Sequence, residues 1–329
     1  MSKKSGSEKD IQNLLLFKQK EGPKKKEADN FLVEKTNKED KIKITNSLIT
    51  QGSHYRYTIL LNNENSTAIS DINILVLYPE FLKFSRFYPS TLNVSCSIEE
   101  DQGKKTNLNL NIKGLKGGSS EKIFLHFTPS TQLAIGEFKT SLKYTNNEGE
   151  EREINSDSIK IQIDKLNITP KIMSHSRIRE FSQIPGMKRA LISLGIGTKK
   201  KLNLEKLFDV FEKLVLSYNF QFITKDREKG IVWFFGSELN SNNDILALSK
   251  INSYIIEIIA YVKNPVILGL FLSSFINNLK EQLLMNKIIK SNMKIFELEC
   301  VNCGENLPYF PKKGEFITCI KCSYEQLVW

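Results

Sequence analysis

From residue 41 to about residue 165, apolar and polar side chains alternate. Tyr55, Tyr57, Ile59 and Leu61 form one such series, and Ile72, Ile74, Val76 and Tyr78 form another. Leu108, Leu110 and Ile112 stand between asparagines, and the pattern returns at Ile123–Phe127, Phe138–Tyr144 and Ile159–Ile163. A period of two puts each apolar set on one face of a strand. Turn-forming residues separate the runs at Asn62-Asn63, Gly117-Gly118 and Asn146–Gly149. Seven or so short, half-buried strands predict an antiparallel, immunoglobulin-like β-sandwich over residues 41–168. There is no Cys…Trp…Cys spacing, which excludes an antibody-type domain.

Past Ile168-Thr169-Pro170 the period changes. Ala190–Ile196 reads as a strand. Leu204, Leu207, Phe208, Phe211, Leu214, Val215 and Tyr218 then follow helical spacing. Phe220–Ile223, Gly230–Phe235 and Asn252–Val262 return to strand, with at least one strand in the last of these stretches. Asn264-Pro265 is an N-cap and first-turn pair, and it opens a helix carrying Leu268, Phe271, Leu272, Phe275, Leu279 and Leu283 on one face. The order β-α-β-β-β-β-α predicts an α+β platform over 169–290, an antiparallel sheet with two helices.

The two ends differ from this middle. Residues 1–40 hold ten lysines and no sustained period, so they read as a flexible tail. Within it, Ile11–Phe17 reads as one short amphipathic helix flanked by lysines, a candidate membrane or partner anchor. At the other end, four of the five cysteines fall at Cys300, Cys303, Cys319 and Cys322. Two Cys-x-x-Cys turns fifteen residues apart chelate opposite sides of a tetrahedral ion. Four soft ligands with no open position point to a structural zinc ribbon over 296–329, the alternative being two disulfides or free thiols. Cys96 sits alone in a strand-like segment and reads as a small hydrophobe.

Composition narrows the class. With 329 residues, 40% hydrophobic and 26% charged, the chain excludes a disordered, collagenous or disulfide-dense protein. Tyr254–Ile276 is its most apolar window, but Glu257, Lys263 and Pro265 interrupt it, so no transmembrane segment is expected. The N-terminus shows no secretion signal, which suggests a cytoplasmic setting where thiols stay reduced. The net charge of +10 is concentrated: residues 171–230 carry thirteen basic and six acidic side chains. An acidic partner would meet the protein there, the alternative being a solvated lysine-rich surface.

No catalytic constellation emerges, so no enzymatic activity is expected. His54, His126 and His175 are scattered and read as structural, and Gly195 and Gly197 lack the context of a dinucleotide fingerprint. The remaining candidate is aromatic. Along Ile231–Phe235, period two sets Trp233 and Phe235 on one face and Val232 and Phe234 on the other. Helices cover only one face of a two-layer domain, which leaves Trp233 and Phe235 for display. Phe181 stands among Arg177, Arg179, Lys188 and Arg189. Phe181, Trp233, Phe235, Arg179 and Lys188 are therefore the expected peptide-binding residues, the same rings being equally suited to a core.

A sandwich followed directly by such a platform resembles the appendage, or ear, of clathrin-adaptor and coatomer large subunits. The local match is Phe181-Ser182-Gln183-Ile184-Pro185, where appendages commonly carry Trp before an Ile-Pro step at the platform's peptide site. The resemblance spans roughly residues 41–285. The helical trunk of those subunits is missing, and the zinc ribbon is added. It implies a non-enzymatic cytoplasmic adaptor of vesicle trafficking that docks short peptide motifs, peripheral to an anionic membrane surface. The alternative is a transcription-type, nucleic-acid-associated factor using the ribbon and the basic stretch 171–230 with Lys199–Lys201. Against it, the ribbon's own basic residues are only Lys312, Lys313 and Lys321.

Overall fold

The computed structural model describes residues 31–37, 41–89, 92–99, 105–130, 133–163, 165–197, 203–291, 294–307 and 314–328. Ile11–Phe17, Lys199–Lys201, Lys312 and Lys313 lie outside them. The first strands are β1 (Phe31–Asn37), β2 (Ile42–Gln51), β3 (His54–Asn63), β4 (Ile69–Tyr78) and β5 (Leu82–Tyr88). They are followed by β6 (Asn93–Glu99), β7 (Lys105–Leu115), β8 (Ser119–Pro129), β9 (Ala134–Thr145), β10 (Glu151–Asn155) and β11 (Ile159–Ile163). One sheet runs β1-β2-β3-β8-β5. The other runs β10-β9-β4-β7-β6, with β11 also paired to β9. This is the expected immunoglobulin-like sandwich, and the alternating residues fill it. Tyr55, Tyr57, Ile59 and Leu61 meet Ile72, Ile74, Val76, Leu108 and Leu110 in one core. Strand β1 is a correction to the expected tail: Phe31–Asn37 pairs with β2 in a continuous register, satisfying an edge that would otherwise be open.

Strand β12 (Ile168–Pro170) leads into the second unit. There β13 (Lys188–Ile196), β14 (Gln221–Asp226), β15 (Ile231–Glu238), β16 (Asn243–Ile251) and β17 (Ile255–Val262) form an antiparallel sheet ordered β12-β15-β16-β17-β13. Strand β14 pairs with β15. The short helix α1 (Ile178–Ser182) precedes this sheet, α2 (Leu204–Ser217) follows β13, and α3 (Pro265–Met285) follows β17. From β13 onward the order is the expected β-α-β-β-β-β-α. Helix α2 starts where the Asn203 side chain accepts a 3.1 Å hydrogen bond from the Lys206 amide. It ends at Asn219, which takes a positive φ of 61°. Its Leu207, Phe208, Phe211 and Leu214 join Val232, Phe234 and the α3 residues Phe271 and Phe275 in the platform core.

Helix α3 ties the two units together. Most of its apolar side chains enter the platform core, but Leu270 belongs to the sandwich core. Beside it, Gly269 lets the helix approach closely. An added Cβ there would stand 2.9 Å from Thr50 Cγ2 and 3.3 Å from Tyr55 Cζ.

The other face of the platform sheet is covered too. The segment Lys171–Met187, with a 3-10 turn at His175–Arg177 followed by α1, lays Ile178 and Phe181 over Trp233, Phe235, Leu246, Leu248 and Ile259. The C-terminal module covers the far end of the same face. Its β18 (Ile295–Glu297) extends the sheet beyond β13, and β19 (Phe316–Thr318) with β20 (Glu325–Leu327) closes a small hairpin.

Candidate metal centre and inter-domain cleft

The four cysteines converge. Cys300 Sγ lies 3.6 Å from Cys322 Sγ, and Cys303 Sγ lies 3.6 Å from Cys319 Sγ. All four sulfurs fall within 4.8 Å of one another. A disulfide needs about 2.05 Å, so these are unbridged thiols. Sulfurs at about 2.3 Å from a tetrahedral ion stand about 3.8 Å apart, which the observed spacing fits. Two matching turns aim them. The Gly304 amide donates to Cys300 O at 2.8 Å, and the Ser323 amide donates to Cys319 O at 2.9 Å. Both residues adopt positive φ, 69° and 57°. Asn302 Nδ2 and the Lys321 amide point at the sulfurs of Cys322 and Cys319. Burial pushes the Cys300 and Cys303 thiols up. Cys322 is also raised by burial, but the Tyr324 amide and neighbouring side chains draw it down to about 7. The residues fit a bound metal ion.

The ribbon is also seated on the sandwich, through residues that the sequence left unconnected. Positions 54, 56 and 126 point outward from β3 and β8, yet His54, Arg56 and His126 are buried, because the ribbon covers that face. His54 Nε2 lies 3.0 Å from Glu297 Oε2 and His54 Nδ1 lies 3.0 Å from Thr128 Oγ1. Ser53 donates to Glu297, and Arg86 donates to Glu299. Lys321 bonds Glu305 at 2.7 Å, Arg56 stands 4.0 Å from Glu305, and both cations sit over the Phe124 ring. Gln51 Nε2 donates to Gly304 O. A Cβ on Gly304 would stand 2.7 Å from the His126 ring, so a side chain there would lift the turn off the sandwich.

His54, Glu297 and Glu299 meet the distance criterion for holding a cation. Arg86 already occupies Glu299, however, Arg56 and Lys321 both face Glu305, and Glu297 is held by His54 and Ser53. The protein's own cations complete this cluster. Burial pushes the Glu299 carboxyl up. The Glu297 carboxyl is held below the usual range: burial would raise it, but the hydrogen bond and charge of His54 prevail. Reading the histidines as scattered and structural missed this cluster. The only local signals were polar residues on strands and two glutamates just before Cys300.

The expected peptide-binding rings are placed otherwise than anticipated. Period two assigned their faces correctly: Trp233 and Phe235 lie opposite Val232 and Phe234. They are not displayed, though, because Phe181, Trp233 and Phe235 are 8, 2 and 3% exposed. Phe181 packs edge-on to Phe235 with centroids 5.2 Å apart. The Lys171–Met187 segment turned the anticipated open face into a second small core. Arg179 stays exposed and Lys188 half-buried.

A concave site exists elsewhere, at the junction of sandwich and platform. A cleft of about 310 Å³ is lined by Leu48, Ile49 and Thr50 of β2 and Ile161–Ile163 of β11. Leu166, Ile267 and Leu270 complete its apolar wall, and Lys165, Glu238, Asn240, Ser241 and Asn264 supply its polar lining. No helix among the described residues is long and apolar enough to cross a membrane.

No family model matches the chain, and no curated protein matches it. Solved structures share the sandwich in part. A cohesin module from a Clostridium perfringens family 33 glycoside hydrolase is 12% identical, covering 36% of this chain and 96% of that one, with a TM-score of 0.28. The GAE domain of GGA2p from Saccharomyces cerevisiae is 12% identical, covering 41% and 100%, with a TM-score of 0.26. Spo0M, a sporulation control protein from Bacillus subtilis, is 10% identical, covering 67% and 79%, with a TM-score of 0.22. At these scores none carries a functional argument.

Proposed function

We propose that this is a non-enzymatic interaction protein, an appendage-like adaptor that docks short peptide segments in the cleft between sandwich and platform. The supporting observation is the cleft itself: an apolar groove with a few polar groups at the junction of two domains, where ligand sites concentrate. The four thiols take zinc as a structural brace, the ion that tetrahedral four-cysteine ribbons select. Arg179 and Lys188 serve as a basic contact for acidic residues of a partner or for an anionic membrane surface. The setting is the cytoplasm, and the role is vesicle trafficking. Nucleic-acid association gains no observation of its own, since Lys225, Arg227 and Lys229 are paired with Glu212, Asp209 and Asp226.

A displayed peptide library panned on the full chain tests the reading. Enriched peptides should bind with micromolar affinity and lose at least about tenfold on Ile267→Arg, with melting of the variant unchanged; tenfold is about 1.4 kcal/mol. A library that yields no binder, or binders indifferent to both Ile267→Arg and Ile49→Lys, sinks it.

A further inference from the structure

We propose that the cleft has a resident occupant, the chain's own Ile11–Phe17 segment, which a partner peptide must displace. This rests on the reading of the cleft as a peptide groove. Three observations carry it.

The first is where the N-terminal segment enters the fold. Strand β1 runs antiparallel to β2 with Phe31 opposite Leu48. On β2, Leu48 is followed by Ile49 and Thr50. Leu48, Ile49 and Thr50 are a wall of the cleft. Phe31, where the N-terminal segment joins the fold, therefore stands opposite a residue of the groove wall.

The second is composition. Residues 1–30 are rich in lysine and glutamate, and they hold a single apolar run, Ile11-Gln12-Asn13-Leu14-Leu15-Leu16-Phe17. The cleft offers Ile161, Ile163, Leu166, Ile267 and Leu270 as complementary surface. Lysines on both sides of the run keep its flanks in water while the run is buried.

The third is reach. Thirteen residues separate Phe17 from Phe31, a span of up to about 43 Å when extended. That is ample slack for the run to fold back on a groove that begins at Leu48. A short tether holds its ligand at an effective concentration of about 1 mM. An intrinsic dissociation constant of about 0.1 mM would therefore fill the cleft roughly ten to one, with no strong contact needed.

The test uses full chains and a fluorescent synthetic peptide with the sequence of residues 9–20, read by anisotropy. Three chains are compared: wild type, a Leu15→Glu/Leu16→Glu double variant, and the double variant carrying Ile267→Arg. The tail substitutions precede the first strand, and a melting curve confirms that each chain is folded. The peptide should bind the double variant about tenfold more tightly than wild type, and Ile267→Arg should abolish that gain. Should Ile267→Arg fail to fold, Ile49→Lys on the opposite wall replaces it. Equal affinity for wild type and double variant, no binding to the double variant, or binding indifferent to the cleft substitution would each overturn the proposal. So would anionic-vesicle binding that needs Leu15 and Leu16 while the peptide ignores the cleft. The two readings fail separately. Library peptides that bind the cleft equally with and without the tail substitutions overturn the occupant and leave the groove. Tail binding with no library binder does the reverse.

Discussion

At the residue scale, His126 is a buried imidazole between the sandwich and the ribbon. It is 1% exposed, and neither ring nitrogen has a hydrogen-bond partner among the described residues. Burial, then the nearby charge of Arg86, lowers its pKa to about 2, against 6.5 for a free imidazole. The unfolded chain therefore takes up a proton below about pH 6.5 that the folded chain refuses. Stability must fall as pH falls through that window, by about 1.4 kcal/mol per unit from this group. His126→Gln should flatten the slope measured by denaturant melts between about pH 7 and about pH 5. An unchanged slope would place the titration elsewhere. Phe181 gives a second residue-scale test. As core, Phe181→Ala should cost about 3–5 kcal/mol and speed tryptic cleavage after Arg177 and Arg179. A variant that melts like wild type would return that ring to the surface. Sequence spacing assigned Trp233 and Phe235 to their face correctly. It could not reveal their cover, because Ile178 and Phe181 sit far upstream with no periodic signature of their own.

At the element scale, local rules were sufficient wherever an element's stability is local. The Cys-x-x-Cys turns, the Asn203 cap and the alternation in β3 and β4 were all legible, since each is fixed by neighbours within a few residues. Helix α3 was legible as a helix but not as a joint. Its apolar residues spread beyond one face because it packs on two cores at once, with Gly269 at the contact. Gly269→Leu should therefore cost about 1–3 kcal/mol by overpacking and uncouple the units. Calorimetry should show one transition splitting into two. A single transition at the wild-type temperature would mean that this contact does not couple them.

At the scale of the whole molecule, the ribbon acts as a keystone. It adds a strand to the platform edge at β13, packs Leu298 and Cys300 against Ile255, and locks to the sandwich through Glu297, Glu299 and Glu305. Glu299 adjoins Cys300 and Gly304 adjoins Cys303, so the first Cys-x-x-Cys turn and the docking contacts are one continuous piece of chain. Stripping the metal with a chelator, or Cys319→Ser, should raise amide hydrogen exchange in residues 295–307. Exchange should also rise in the covered parts of β3 and β8, while the sandwich core stays protected. Exchange unchanged throughout would show that protein packing alone holds the ribbon.

The sandwich, the β-α-β-β-β-β-α order and the four-thiol site were legible in the residues alone, because periodicity, caps and ligand spacing act over a few residues. Packing between distant segments set which faces are open. It buried Trp233, brought His54 to Glu297 from the far end of the chain, and opened the cleft between Leu48 and Ile267. Whether a face meets water depends on which distant segment packs there, and no local pattern encodes that choice. The concentrated positive charge shows the same division: its place in the chain was legible, but the carboxylates that pair with Lys225, Arg227 and Lys229 were found only in the fold.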